Sequence, residues 1–293
     1  MIRILHLSDI HFGDENQAAT AAAADYVAAH PCDLLVVSGD VTQFGHHAEF
    51  SSAAAWFAAL AGPRLIVPGN HDTPYGDLVE RVARPFGRFE RAFGPADGVQ
   101  VAGDGFLAYG VNTARGVQVR WNWSKGEITQ AQAREAVSRL ARAPAGALRV
   151  FAAHHPLMEV TGGPMTGRVR GGPRAARLLS AGQVDLVLSG HVHMPFAHPL
   201  TPDGRTYAVG AGTLSRRERG GAPAGFNVID VDAETIKVAA LGWTGARFEP
   251  QRAWGLPRRI TDDSARFAAG HRLNEGGDAV GGAGGLTEQL SGA

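Results

Sequence analysis

Five short clusters of potential metal ligands punctuate the chain: Asp9-Ile-His11, Gly39-Asp40, Gly69-Asn70-His71-Asp72, His154-His155 and Gly190-His191-Val192-His193. Carboxylate, amide and imidazole donors suit borderline divalent ions such as Mn, Fe, Zn or Co, and the single cysteine, Cys32, offers neither a thiolate site nor an intramolecular disulfide. Counting Asn70 alone from the third cluster and one histidine of the His154-His155 pair, two carboxylates, one amide and four imidazoles make seven candidate ligands. A lone tetrahedral ion takes three or four protein ligands, so seven suits two ions that share a bridging carboxylate. Two ions about 3.5–4 Å apart clamp the attacking and leaving oxygens of an in-line displacement and lower the pKa of bound water from about 15.7 towards ~7. A hydroxide bridging the ions is then available to attack phosphorus. Taken singly, Asp9-Ile-His11 reads as a helix cap beside a surface histidine, Gly39-Asp40 as a turn, and His154-His155 as a core histidine beside an exposed one. Taken together and in order, the clusters point to a shared metal site.

The elements that must bring them together are legible in the apolar pattern. Strand candidates run over Ile2–Leu7, Leu34–Ser38, Arg64–Val67, Phe106–Val111, Arg149–Ala153, Val184–Ser189, Thr206–Val209, Phe226–Val231 and Thr235–Ala240. The early ones are apolar on both parities, as strands buried on both faces are. Helix candidates lie at Asn16–Ala29, His47–Leu60, Asp77–Phe93, Thr129–Arg142 and Pro173–Ala181. In the third, Leu78, Val82, Phe86, Phe89 and Phe93 are spaced as a core face, and Pro85 implies a kink or break. This alternation, ending in successive strands, predicts an α/β or α+β layered sandwich. Each cluster begins within a residue or two of the end of an apolar run, and in open α/β sheets ligands collect outside the carboxyl ends of the strands. Residues i and i+2 point the same way on a strand, so Asp9 with His11, and His191 with His193, are expected to reach one pocket. The glycines before Asp40, Asn70 and His191 are expected to allow sharp turns close to the ions.

Composition narrows the partners. The 293 residues suggest one large or two small domains, and a 44% hydrophobic share excludes global disorder. Lys+Arg and Asp+Glu number 28 each, so binding of long nucleic acid or anionic membrane through bulk positive charge is not expected. The N-terminal apolar run is too short for a signal peptide or membrane anchor, and the lone cysteine is compatible with a reducing cytosol; a cytoplasmic location is expected. Residues Thr161–Gly172, rich in glycine, read as a long mobile loop, and Asn274–Ala293 as a disordered or loosely docked tail.

In its ordered D-x-H, G-D, G-N-H-[DE], H and G-H-x-H elements the chain resembles the calcineurin-like metallophosphoesterases. It is most similar to the bacterial class III cyclic-nucleotide phosphodiesterases and related glycerophosphodiesterases, which share the D-I-H opening and an H-H-P segment. The resemblance covers residues 1–245, taken as the catalytic domain, and leaves 246–293 as an extension, partly disordered or docked on the core or on a neighbouring subunit. It implies a four-layer αββα sandwich of two mixed sheets flanked by helices. It also implies one metal on Asp9, His11, Asp40 and His193, and the other on Asp40, Asn70, His154 and His191, with Asp40 bridging. Sequence alone leaves open whether His155 replaces His154. His71 matches the family histidine that contacts the phosphate, together with Asn70, and Asp72 the acid that orients that histidine. Gln43 stands where many relatives carry an acidic residue.

Substrate clues are sparser. Arg168 and Arg170, in the loop after His154-His155, match phosphate geometry as guanidinium groups do, although a solvated surface loop explains them equally well. Trp121 and Trp123 read as packing or oligomer contacts rather than base-stacking groups. The expected activity is hydrolysis of small phosphodiesters: cyclic nucleotides, glycerophosphodiesters or related organophosphate diesters. The alternatives are a phosphomonoesterase, a nucleotide pyrophosphohydrolase, or a silent metal-binding interaction module. The resemblance is compatible with a homo-oligomer, a dimer or higher.

Overall fold

A computed structural model describes residues 1–119, 122–159, 169–202 and 204–259. In chain order the first half carries β1 (Ile2–Leu7), α1 (Gln17–Ala29), β2 (Leu34–Ser38), α2 (His47–Ala58), β3 (Arg64–Val67), α3 (Leu78–Ala83), α4 (Gly87–Phe93), β4 (Val99–Gly103) and β5 (Phe106–Gly110). The second carries α5 (Gln130–Leu140), β6 (Leu148–Ala152), α6 (Gly172–Ala181), β7 (Leu186–Ser189), β8 (Phe196–Pro199), β9 (Tyr207–Gly210), β10 (Gly225–Val231), β11 (Thr235–Trp243) and β12 (Phe248–Pro257).

Two six-stranded mixed sheets form, in the orders β12-β11-β10-β1-β2-β3 and β4-β5-β6-β7-β9-β8. Strands β1, β2 and β3 run parallel, as do β5, β6, β7 and β9. Seven carboxyl ends therefore deliver their following loops to one rim. The parity of β2 shows why the early strands read as apolar throughout. Leu34 and Val36 pack with Ile4 and Leu65 against Ala108, Val150, Leu186 and Leu188 of the other sheet. Leu35 and Val37 face outward, onto Ala19, Ala23 and Val27 of α1 and Phe50, Ala53 and Phe57 of α2. On the far side, Tyr109, Phe151 and Val187 meet Ala133, Ala136 and Leu140 of α5 and Ala175 and Leu179 of α6. The four-layer αββα sandwich expected from the sequence is the architecture observed.

Local signals explain most boundaries. Asn16 caps α1 by accepting from the Ala19 amide, and Thr129 with Gln132 forms a capping box on α5. The helix expected over Asp77–Phe93 breaks around Pro85 into α3 and α4. Its expected core face is only half right. Phe89 is fully buried, but Leu78 and Val82 are 64% and 67% exposed, and Arg81 is the buried residue of α3. Arg81 turns inward because its guanidinium has partners there: it lies 4.6 Å from the Tyr75 ring centroid and 5.4 Å from that of Trp123, and its Nε donates to the Gly116 carbonyl at 2.8 Å. Strands β4, β8 and β12, unforeseen in the sequence, lie at sheet edges and carry mostly partly exposed side chains. β12 continues the sheet past residue 245, pairing antiparallel with β11 through a bulge at Ala240/Leu241. Residues 260–293, including the expected loose tail, lie outside the described residues. Among the described residues, no helix is long and apolar enough to cross a membrane.

Leu34 sits at 0% exposure between the sheets. Leu34→Ala is expected to lower the free energy of unfolding by about 2–5 kcal/mol, read from a urea titration, through lost burial and a residual cavity. A change below about 1 kcal/mol would mean that the sheets are not tightly packed there.

Candidate metal centre

The backbone leading to the site is unusual. Among the described residues, six non-glycine residues have positive φ, and five of them are expected ligands: Asp9 (52°), His11 (53°), Asp40 (50°), His191 (68°) and His193 (56°). Left-handed backbone is uncommon for such residues and persists only where surrounding contacts dictate it. This corrects the expectation that strand pleating aims Asp9 with His11 and His191 with His193. Strands β1 and β7 end at Leu7 and Ser189, and both pairs lie beyond them. The loops are instead zipped together: the amides of Asp9, His11 and Phe12 donate to the carbonyls of Gly39, Asp40 and Val41 at 2.9, 3.0 and 2.8 Å. The His191 amide donates to Asp9 Oδ2 and the His71 amide to Asp40 Oδ1, each at 2.8 Å.

Glycines are required by proximity as well as by φ. A Cβ on Gly69 would strike Asp40 Oδ1 and the Asp40 backbone nitrogen, and one on Gly190 would strike Ser8 Oγ and Asp9 Oδ2. Gly39 combines φ of 95° with an imagined Cβ only 2.6 Å from His154 Nδ1.

Six of the expected ligands, Asp9, His11, Asp40, His154, His191 and His193, come together in overlapping groups. Ligand atoms lie within 4.8 Å of one another in Asp9–His11–His193, in Asp9–Asp40–His154, in His11–Asp40–His71 and in His154–His155–His191. His193 Nε2 is 3.0 Å from Asp9 Oδ1, and His154 Nε2 is 3.2 Å from Asp40 Oδ2. His11 Nε2 is 3.8 Å from both Asp9 Oδ1 and Asp40 Oδ2. Two imidazoles are oriented from behind. The Nδ1 of His154 faces the Ser38 carbonyl at 2.8 Å and that of His193 the Arg217 carbonyl at 2.6 Å, so each donates there and turns Nε2 to the cluster.

The electrostatics suit a cation. Burial disfavours the charged form of Asp40, but His154, His71 and His11 overcome it and hold the carboxyl well below the usual range. Asp9, opposed by burial in the same way, is also lowered, by His193 and His154. Burial pushes His11 and His191 down to about 3, leaving neutral imidazoles with lone pairs to give. At His154 burial is outweighed by Asp40 and Asp9, and its pKa rises to about 9. Asp9 Oδ1, Asn70 Oδ1, His154 Nε2 and His11 Nδ1 are all shielded from solvent without a hydrogen-bond partner. Such orphaned polar atoms call for an explanation, and a bound cation supplies one for the donors that converge. The residues present therefore fit divalent metal.

Two expectations need correction. Asp72 does not reach the His71 ring. Its Oδ2 accepts from the Gly69 and Val41 amides at 2.8 and 3.2 Å, and its Oδ1 from the Thr42 amide and hydroxyl, each at 2.8 Å. Asp72 thus ties the loop after β3 to the loop after β2, while the Gln43 carbonyl, 2.6 Å from His71 Nδ1, orients that ring. Burial and the charge of Asp40 push Asp72 up to about 7. Arg170 is not brought to the cluster: its guanidinium is 69% exposed and lies 4.0 Å from Glu127. Arg168 and Trp121 lie outside the described residues.

Three neighbours escaped sequence reasoning. Tyr75 stacks on the His71 ring at 5.4 Å between centroids and 13° between planes. Arg81 supports Tyr75 from α3. Arg217 places Nη1 3.2 Å from His71 Nε2. The only hint in the sequence is the crowding of arginines in Ser215-Arg216-Arg217-Glu218-Arg219, far from any ligand cluster.

A model of the calcineurin-like phosphoesterase family matches residues 2–195. The chain belongs to that family. It is 26% identical to a probable cyclic nucleotide phosphodiesterase of Synechococcus sp. over 285 residues, which is 91% of this chain and 96% of that protein. It is 35% identical to a glycerophosphodiester phosphodiesterase of Enterobacter lignolyticus over 80 residues, only 24% of this chain and 29% of that one. The fold is shared with a purple acid phosphatase of yellow lupin at a TM-score of 0.65 and 15% identity, over 89% of this chain and 54% of that larger one. It is shared also with GAP50 of Plasmodium at 0.59 and 12%, over 92% and 94% of the two chains.

Because the close approach at Gly69 involves the Asp40 backbone, Gly69→Ala is expected to reduce bound metal, measured by elemental analysis after desalting, along with thermal stability. Full metal retention with unchanged melting would show that the two loops are not locked together.

Proposed function

We propose that the site binds two divalent ions and hydrolyses small phosphodiesters. The observation that carries the dinuclear reading is the position of Asp40, whose Oδ2 lies 3.8 Å from His11 Nε2 of one ligand set and 3.2 Å from His154 Nε2 of the other, amid shielded donors that lack partners. We assign one ion to Asp9, His11, Asp40 and His193, and the other to Asp40, Asn70, His154 and His191. His154 is preferred to His155 because both ring nitrogens of His155 are engaged, Nε2 with the Ser124 carbonyl and Nδ1 with the Thr113 hydroxyl, each at 2.8 Å.

When bound, divalent ions would supply a more acidic water as nucleophile and neutralise charge building on the phosphoryl group. The chain's own residues do the rest. The carbonyls of Ser38 and Arg217 hold His154 and His193 in the tautomer that presents Nε2. His71, with Nδ1 committed to the Gln43 carbonyl, turns Nε2 toward the substrate, and that nitrogen, once it carries a proton, donates to a phosphoryl or leaving-group oxygen. Asp72 keeps Asn70 and His71 in register with Asp40 by tying their loops. Preference for diesters draws support from the relative that matches nearly the whole chain, a probable cyclic nucleotide phosphodiesterase.

With Mn²⁺ supplied, turnover of bis(p-nitrophenyl) phosphate is expected to exceed that of p-nitrophenyl phosphate. Equal or inverted preference would replace the diesterase reading with a monoesterase one. His71→Ala is expected to retain metal while kcat falls by about 10²–10⁴-fold, the range for loss of a group acting on the transition state. Unchanged turnover would remove His71 from the mechanism.

A further inference from the structure

Arg217 stands beside His71 and, among the described residues, has no anionic partner. Its Nη1 lies 3.2 Å from His71 Nε2 and 3.4 Å from Gln43 Oε1. Because His71 Nδ1 donates to the Gln43 carbonyl, Nε2 is the ring's acceptor, and the guanidinium donates to it. Among the described residues no carboxylate pairs with Arg217. A guanidinium carries five donors in a rigid fork suited to oxyanions, and here two weak neutral acceptors engage a single nitrogen.

The backbone around Arg217 is tied into the site by hydrogen bonds. Its carbonyl accepts from His193 Nδ1 at 2.6 Å, and its amide donates to Ser215 Oγ at 3.1 Å. Ser215 Oγ is 2.7 Å from Thr213 Oγ1, whose hydroxyl reaches the Asp9 carbonyl at 2.6 Å. The Arg216 amide donates to the Asp14 carbonyl at 3.1 Å. The loop after β9 is thereby bolted to the backbone that carries Asp9 and to the ring of His193. Arg219 follows on the same loop, half-buried, with Nη1 3.5 Å from the His191 carbonyl. Two like charges held close together at half-buried positions repel each other, and an anion between them and the cluster relieves that repulsion.

We propose that Arg217 is the oxyanion grip of this site: on substrate entry its guanidinium leaves His71 Nε2 for a non-bridging phosphoryl oxygen, with Arg219 adding to the attraction for the anion. This rests on the phosphoesterase reading above. It gives to the β9 loop the role that the sequence suggested for Arg168 and Arg170. A guanidinium bound to an anionic phosphoryl oxygen, with both partners charged, is held more strongly than one bound to an imidazole nitrogen, which favours the exchange.

The test uses the full-length, metal-loaded protein with inorganic phosphate as the probe, its dissociation constant measured by calorimetry and its inhibition constant against bis(p-nitrophenyl) phosphate. Arg217→Ala is expected to weaken phosphate and raise KM by about 10- to 100-fold, the range for a hydrogen bond to a charged group, with metal content unchanged and a smaller effect on kcat. Arg217→Lys is expected to recover part of the affinity. Arg216→Ala, at the exposed neighbour, serves as a control for bulk charge and is expected to behave as wild type. Phosphate affinity equal in wild type and Arg217→Ala, no phosphate binding by the wild type, or an equal loss in Arg216→Ala would each overturn the proposal. If no phosphoester is hydrolysed yet phosphate binding depends on Arg217, the reaction assignment falls while the oxyanion grip stands.

Discussion

Two carboxylates, Asp9 and Asp40, are sealed from water in one pocket and held ionised among imidazoles that burial keeps mostly neutral. Burying charge of one sign is costly unless opposite charge meets it. The rest of the architecture follows from that constraint. Left-handed backbone at five ligand residues, glycines where a methyl group would strike a carboxylate, and amides spent on Asp9 Oδ2 and Asp40 Oδ1 all serve to bring anionic oxygens together and leave their remaining lone pairs to a cation.

The sandwich explains how so strained a rim is maintained. Parallel strands from both sheets end at the same edge, and an apolar interlayer of Ile4, Leu34, Val36, Leu65, Val150 and Leu188 locks the sheets face to face. On that frame the loops tie themselves to one another by hydrogen bonds of their own. Asp72 is the clearest example, since one buried carboxylate takes four donors from two loops and so couples Asn70 and His71 to Asp40. Its role is architectural, even though its neighbour in sequence, His71, groups with His11 and Asp40.

Much of this was legible from residue order. Strands β1, β2 and β3 coincide with the apolar runs because both parities are buried, leaving no competing reading. The ligand clusters were legible because each sits directly after such a run. What could not be read depends on contacts distant in sequence. Arg81 is buried through Tyr75, Trp123 and Gly116, so the local spacing of α3 pointed the wrong way. Edge strands β4, β8 and β12 are half-exposed and lack an apolar signature. The direction of Asp9 and His11 is set by the backbone of the β2 loop rather than by pleating. Arg217 reaches His71 across 146 residues, a separation that no local motif encodes.

The most direct measurement of the central claim is diffraction from crystals grown with excess Mn²⁺, recorded above and below the manganese edge. Two anomalous peaks about 3.5–4 Å apart, both within bonding distance of Asp40 and divided between the two ligand sets, are the predicted result. A single peak, or peaks away from Asp40, would contradict the account.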